Sequence, residues 1–171
     1  MNELYVIGTS QLESAIIGIV ELLNSFSPSQ LFIEMTDDDV KTVDINHYEP
    51  DFIAAYNWAR YNNVLIRGID HSVSYFLDNI PFEAFLKIEE LKNSFLDTDF
   101  KELNKRKYDE MYNNIISTFF NVEKYAERIE GMINNIRENM IYGAKSVALI
   151  GVGNLPYFEK NLPEAVFPFR D

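Results

Sequence analysis

The sequence predicts a small α/β domain: a mainly parallel four-stranded sheet with flanking helices and a long helical insertion before the last strand. Three observations carry this. Strand-like apolar runs alternate with helical patterns from residue 3 to about 77. Near-copies of one apolar run ending in glycine stand at opposite ends of the chain, Leu4-Tyr5-Val6-Ile7-Gly8-Thr9-Ser10-Gln11 and Val147-Ala148-Leu149-Ile150-Gly151-Val152-Gly153-Asn154. Between Pro81 and Pro156 there is no proline, and an apolar series recurs there at helical spacing. At 171 residues the chain is read as one domain, with the helical segment of about 81–143 packed on the sheet or projecting from it.

Each element has its own signal. Residues 3–8 form a buried-type strand, a continuous apolar run stopped by Gly8. Residues 11–25 form a helix, with Leu12, Ala15, Ile16, Ile19, Val20 and Leu23 on one face. Ser25 to Ser29 is a turn around Pro28, and Leu31 to Glu34 is the second strand. Asp37-Asp38-Asp39 makes the acidic first turn of a short helix, and residues 41–49 are irregular. Pro50 opens a helix to about Tyr61, because proline suits the first helical position. Val64 to Ile69 is the third strand, ending at Asp70-His71, and a short helix follows from Ser72 to Leu77.

The insertion carries the series Tyr108, Tyr112, Ile115, Phe119, Val122, Ala126, Ile129, Ile133, Ile136, Met140. These steps of three and four make a heptad pattern, which Met111, Ile116, Phe120, Tyr125 and Met132 widen. Two arrangements fit it. One is a single helix over about 100–142 that pairs with a second copy of the chain, a homo-oligomer. The other is a helix pair broken near Asn121 and folded back on the sheet. Gly143 caps the end of this region, Ser146 to Ile150 is the fourth strand, and a last helix spans about 154–161. The tail from Pro163 carries Val166, Phe167 and Phe169 and is expected to dock.

Composition excludes several functions. With 27 acidic against 15 basic residues the net charge is −12, which repels nucleic acid and anionic membrane surfaces. The cluster Lys101, Lys105, Arg106, Lys107 reads as a solvated helix face. The chain has no cysteine, which removes disulfides, thiolate metal sites and cysteine nucleophiles together. The N-terminus lacks the basic start of a signal peptide, and the most apolar helix, Ala15 to Leu23, is too short to span a bilayer. A cytoplasmic location follows from this reading.

In a small parallel sheet the carboxyl ends of the strands share one edge, where open α/β sheets bind ligands. That edge collects Gln11, Glu34, Asp70 with His71, and Asn154, behind the backbone turns at Gly8 and Gly151. No complete Gly-rich phosphate loop is present, since Pro156 stands where a dinucleotide turn needs its third glycine. Ser10 lacks the context of a nucleophile elbow, and His47 is given no role. No cofactor is expected.

The order of these motifs resembles the TraB/TIKI/GumN group, related to erythromycin-esterase-like and ChaN-like proteins. That pattern runs from a strand and Gly-Thr-x-His, through a strand ending in Glu, a strand ending near Asp-Arg and a helical Arg, to a last strand ending in Gly-x-x-His. Here it falls on Gly8-Thr9-Ser10-Gln11, Phe32-Ile33-Glu34-Met35, Ile66-Arg67-Gly68-Ile69-Asp70-His71, Arg137-Glu138-Asn139-Met140 and Gly151-Val152-Gly153-Asn154. The resemblance implies ligand binding through Gln11, Glu34, Arg137 and Asn154, and the sheet edge adds Asp70 and His71 as ligand-binding candidates. Both family histidines fall on amides, and His71 replaces the usual arginine. Some members look like metal-dependent peptidases, but a carboxamide offers a metal only a weak neutral oxygen, so no metal is expected. Three functions remain open: a non-catalytic binding or interaction protein for a small polar or carboxylate ligand, a hydrolase rebuilt around Glu34, Asp70 and His71 with Mg²⁺, and an assembly protein acting through its long helix.

Overall fold

The computed structural model describes residues 3–71 and 81–171. Its four strands are β1 (Glu3–Thr9), β2 (Gln30–Thr36), β3 (Leu65–Asp70) and β4 (Lys145–Gly151), all parallel and ordered β1-β4-β2-β3. Between β1 and β2 lies α1 (Ile16–Phe26), and between β2 and β3 lie α2 (Asp37–Thr42) and α3 (Pro50–Tyr61). The insertion holds α4 (Phe82–Ser94), α5 (Phe100–Leu103), α6 (Asp109–Phe119) and α7 (Val122–Asn139), and α8 (Leu155–Asn161) follows β4. The helix expected at Ser72 to Leu77 lies outside the described residues.

Parallel strands covered on both faces bury every side chain, and β4 shows it: Val147, Ala148, Leu149 and Ile150 are all fully buried. Val147 and Leu149 join Ile7, Leu31 and Ile33 against α1 and α3, whose Ile19, Leu23, Phe52 and Tyr56 complete that layer. Ala148 and Ile150 face the other way with Leu4, Val6, Phe32 and Ile69, against α6, α7 and α8.

The apolar series of the insertion lies on two helices, α6 and α7, not one. Phe120 leaves α6 in an extended conformation, and the Asn121 side chain caps α7 by accepting from the Lys124 N–H at 3.0 Å. The broad stripe is buried within the protomer: Tyr112, Ile116, Tyr125, Ile129, Met132, Ile133 and Ile136 pack on the sheet, whereas the heptad position Val122 is exposed. This removes the physical ground for pairing with a second copy along a continuous 100–142 helix. Nor does Gly143 cap the helix. Helix α7 ends at Asn139, and Gly143, at φ 79°, turns the chain into β4.

The outer edge of β1 is closed. Val6 donates to the Val166 carbonyl at 2.9 Å, and Val166 donates to the Leu4 carbonyl at 2.8 Å, so the tail docks as a short parallel partner. Beyond it a side chain continues the ladder. The buried Asn104 accepts from the Gly8 N–H at 2.8 Å and donates to the Gly8 carbonyl at 2.8 Å. One carboxamide thus replaces a neighbouring strand's peptide group, leaving no open edge at that position. Arg170 anchors the tail with paired bonds to the Asp109 carboxylate, both 2.7 Å, and two to Glu159 Oε2, at 2.8 and 3.2 Å.

Asn104→Ala is expected to strand both polar groups of Gly8 and lower unfolding free energy by about 3 kcal/mol, at the cost of roughly 1–3 kcal/mol per unsatisfied buried group. Urea unfolding followed by circular dichroism measures it.

Candidate functional site

The carboxyl edge of the sheet carries an interlocked polar cluster centred on Glu34, which lies buried two residues before the end of β2 rather than in solvent beyond a strand ending there. Its Oε2 accepts from the Gly151 N–H at 2.6 Å. The Asn154 carboxamide donates to both Glu34 oxygens, at 2.9 and 2.8 Å. The other end of that carboxamide accepts from the Tyr125 hydroxyl, which fixes its orientation. Arg128, on the first half of α7, donates from Nη2 to Glu34 Oε1 at 2.8 Å. The same guanidinium grips Asp70 in a fork, Nε to Oδ1 at 2.9 Å and Nη2 to Oδ2 at 2.5 Å. The two carboxylate side chains are 7% and 4% exposed and that of Arg128 is 19%, so this ion triad is largely withdrawn from water.

Such burial has electrostatic consequences. Desolvation raises the Glu34 pKa; Arg128 opposes it, Asp70 adds to it, and the net direction is upward. Every partner of Glu34 is a donor, so a protonated Glu34 would have to release one of them.

Gln11 reaches the cluster by a different device. It adopts a left-handed conformation, φ 60°, and its N–H donates to Asp51 Oδ2 at 2.8 Å. Asp51 opens α3, also accepts from its neighbour's Phe52 N–H, and is fully buried. Burial pushes its carboxyl up to about 6, against the two backbone N–H groups, with Glu49 adding to the rise. The Gln11 side chain lies over Gly151. A Cβ there would meet Gln11 Nε2 at 3.0 Å, Glu34 Oε2 at 3.5 Å and Asn154 Nδ2 at 3.6 Å, so the glycine makes room for three polar tips. Gly8 does the same for the chain beyond β4, since a Cβ there would meet Val152 Cα at 2.9 Å.

The structure therefore brings together Gln11, Glu34, Asp70 and Asn154. His71 follows Asp70, but it is the His71 backbone N–H that donates to Asp70 Oδ1, at 2.8 Å. Its ring leans towards Gly131 on α7. Arg137 lies elsewhere, bound to Glu164 at 3.0 Å and to the Asn161 carbonyl at 3.0 Å. The reason is geometric. Helix α7 runs back along the sheet, and near its end the Asn139 carbonyl accepts from Gln30, the first residue of β2. Arg137 is nine residues beyond Arg128, about 13 Å along the axis and half a turn around it. Only the first half of α7 can serve the carboxyl edge, and Arg128 is the arginine there. Topology could have singled it out, because two buried carboxylates at one edge require a cation. Asp51 and Tyr125 were likewise not read from the sequence.

Between this polar floor and the insertion lies a pocket of about 210 Å³. Gln11, Glu34, Arg128 and Asn154 form one end, and Leu91, Phe95, Ile115 and Ile116 form apolar walls. A wider groove of about 1100 Å³ continues past Asp70 and His71 towards α2. Among the described residues no group of three or more His, Cys, Asp or Glu is arranged to hold a metal ion. Among them also, no helix is long and apolar enough to cross a membrane. No family model, curated protein or solved structure matches this chain.

Arg128→Met leaves Glu34 and Asp70 buried without a cation and is expected to cost about 3–5 kcal/mol. Without Arg128 the Glu34 carboxyl, already raised by burial, rises further, so the native state binds more protons and the loss is larger at pH 8 than at pH 5 in urea unfolding. Asp51 shows the same sign in the native protein. Its folded pKa of about 6 lies above the ordinary aspartate value of 3.8, so its stability cost is absent below pH 4 and complete well above pH 6. The wild-type minus Asp51→Asn difference in unfolding free energy is expected to fall by about 3 kcal/mol between pH 4 and pH 7, at 1.36 kcal/mol per unit.

Proposed function

We propose that this chain is a degenerate relative of the TraB/TIKI/GumN group that keeps the crevice as a binding pocket for a small ligand and has given up metal chemistry. One observation carries the reading. Both oxygens of Glu34 are engaged by Gly151, Asn154 and Arg128, so the carboxylate acts as a structural acceptor rather than as a base or metal ligand. The amide at 154 supports this role, because a single orientation serves Tyr125 and Glu34 together. The amide at 11 differs. Among the described residues the Gln11 side chain makes no hydrogen bond, and it lines the pocket, where it is available to a ligand. A hydrolase using Glu34, Asp70 and His71 would first have to displace Arg128 from both carboxylates. Assembly through the helical region would have to work without the stripe that α6 and α7 bury.

A thermal-shift screen of small polar and amphipathic fragments tests the proposal. Fragments that raise the wild-type Tm should leave Gln11→Ala and Ile115→Trp unmoved, with unchanged circular dichroism. A ligand at a hundred times its Kd stabilises by about 2.7 kcal/mol, well within detection. Mg²⁺, Mn²⁺ or Zn²⁺ in excess should not shift the wild-type Tm. A metal-induced rise that Glu34→Gln abolishes would replace this reading with the hydrolase.

A further inference from the structure

Resting on the pocket just proposed, we infer that its ligand is a small protonated amine carried on an apolar body, with the ammonium at the Glu34 end and the body between Leu91, Phe95, Ile115 and Ile116. Three features of the site lead there.

The floor is charge-unbalanced. Glu34 and Asp70 each form a buried ion pair with Arg128, so one guanidinium serves two carboxylates. The surroundings deepen the imbalance. Asp37, Asp38, Asp39, Glu49 and Glu89 line the adjoining groove, and Lys92, which lines both the groove and the pocket, is the other fixed cation among the described lining residues. Lys92 itself lies 3.8 Å from Glu49 and 4.0 Å from Glu89. His47 lies between Asp39 and Asp44, at 3.6 and 3.8 Å, and His71 stands beside Asp70. Residues 72–80 contain no Lys or Arg. A carboxylate ligand would add a third negative charge to this floor; an ammonium would complete it.

The donors are already committed, and acceptors remain. Asn154 and Gly151 direct their N–H groups at Glu34. What the pocket still offers an incoming head group includes the Gln11 carboxamide and the Ser10 hydroxyl. An ammonium has three donors and no acceptor, which suits such a lining.

The walls are apolar and the volume is small. At about 210 Å³ the pocket suits a single ring or short chain rather than a peptide or a nucleotide. Leu91 on α4, Phe95 just beyond it, and Ile115 and Ile116 on α6 form these walls, while Ile88 and Lys92 of α4 line the pocket and the acidic groove alike.

The test uses three matched probes on the intact chain at physiological salt: 2-phenylethylamine, 2-phenylethanol and phenylacetate. Calorimetry and thermal shift should show the amine binding at least tenfold more tightly than the alcohol, and phenylacetate not binding. Ile115→Trp, which fills the wall without touching the charged floor, should abolish amine binding. Alcohol or phenylacetate binding as tightly as the amine would overturn the amine assignment while leaving the pocket itself in place. Amine binding undiminished in Ile115→Trp would overturn it too, because the amine would then sit elsewhere on the acidic surface. Binding of none of the three overturns the assignment as well, and the fragment screen with Gln11→Ala then judges the pocket separately.

Discussion

The buried carboxylate of Glu34 holds this fold's business edge together. It receives the backbone where β4 turns away, the carboxamide that precedes α8, and the guanidinium projecting from α7. Two segments distant from it in sequence, one at Arg128 and one at 151–154, are thereby referred to a single side chain near the end of β2. Withdrawing a carboxylate from water is unfavourable on its own, and only this full set of donors makes the position tolerable. The constraint propagates outward. Arg128 ties β3 to the same point through Asp70, so α7 is held at a defined height on the sheet. Helix α6 and the pocket wall it carries follow from where α7 begins.

The pocket thus lies between a rigid edge and a wall that was inserted over it. Its floor belongs to the sheet and is fixed by hydrogen bonds; its walls belong to the insertion and are fixed by apolar packing. These two kinds of contact respond differently to substitution. A floor residue such as Asn154 has partners on both sides, so changing it disturbs the fold as well as the site. A wall residue such as Ile115 can change size at the pocket while the floor keeps its bonds.

Much of the architecture was legible because its signals are local. Strands covered on both faces need unbroken apolar runs, and Val147 to Ile150 supplies one. Pro50 marks the start of α3 and Thr36, accepting from Asp39, the start of α2, both by local capping chemistry. The break at Asn121 was legible too, as a capping residue ahead of Glu123, but a heptad series runs across it by coincidence of spacing. What stayed hidden depends on contacts between distant segments. Arg128 reads as a charged residue beside a stripe until the sheet places Glu34 and Asp70 opposite it. Asp51 reads as an ordinary first-turn acid, whereas the fold lays Gln11 over it and excludes water. Asn104, between basic residues, gives no sign that its amide completes a sheet.

The closed edge of β1 bears on how the chain reaches its native state. The first strand pairs with residues 145–151 on one side and with Val166 and Asn104 on the other. During synthesis β1 emerges ahead of both its strand partners, and it can pair with neither until residues 145–166 have followed. The loop to be closed spans most of the sequence, the kind of non-local pairing that slows folding. Until then Leu4 to Ile7 is an unpaired apolar strand, open to other chains as readily as to its own. The net charge of −12 over the whole chain opposes such association by mutual repulsion.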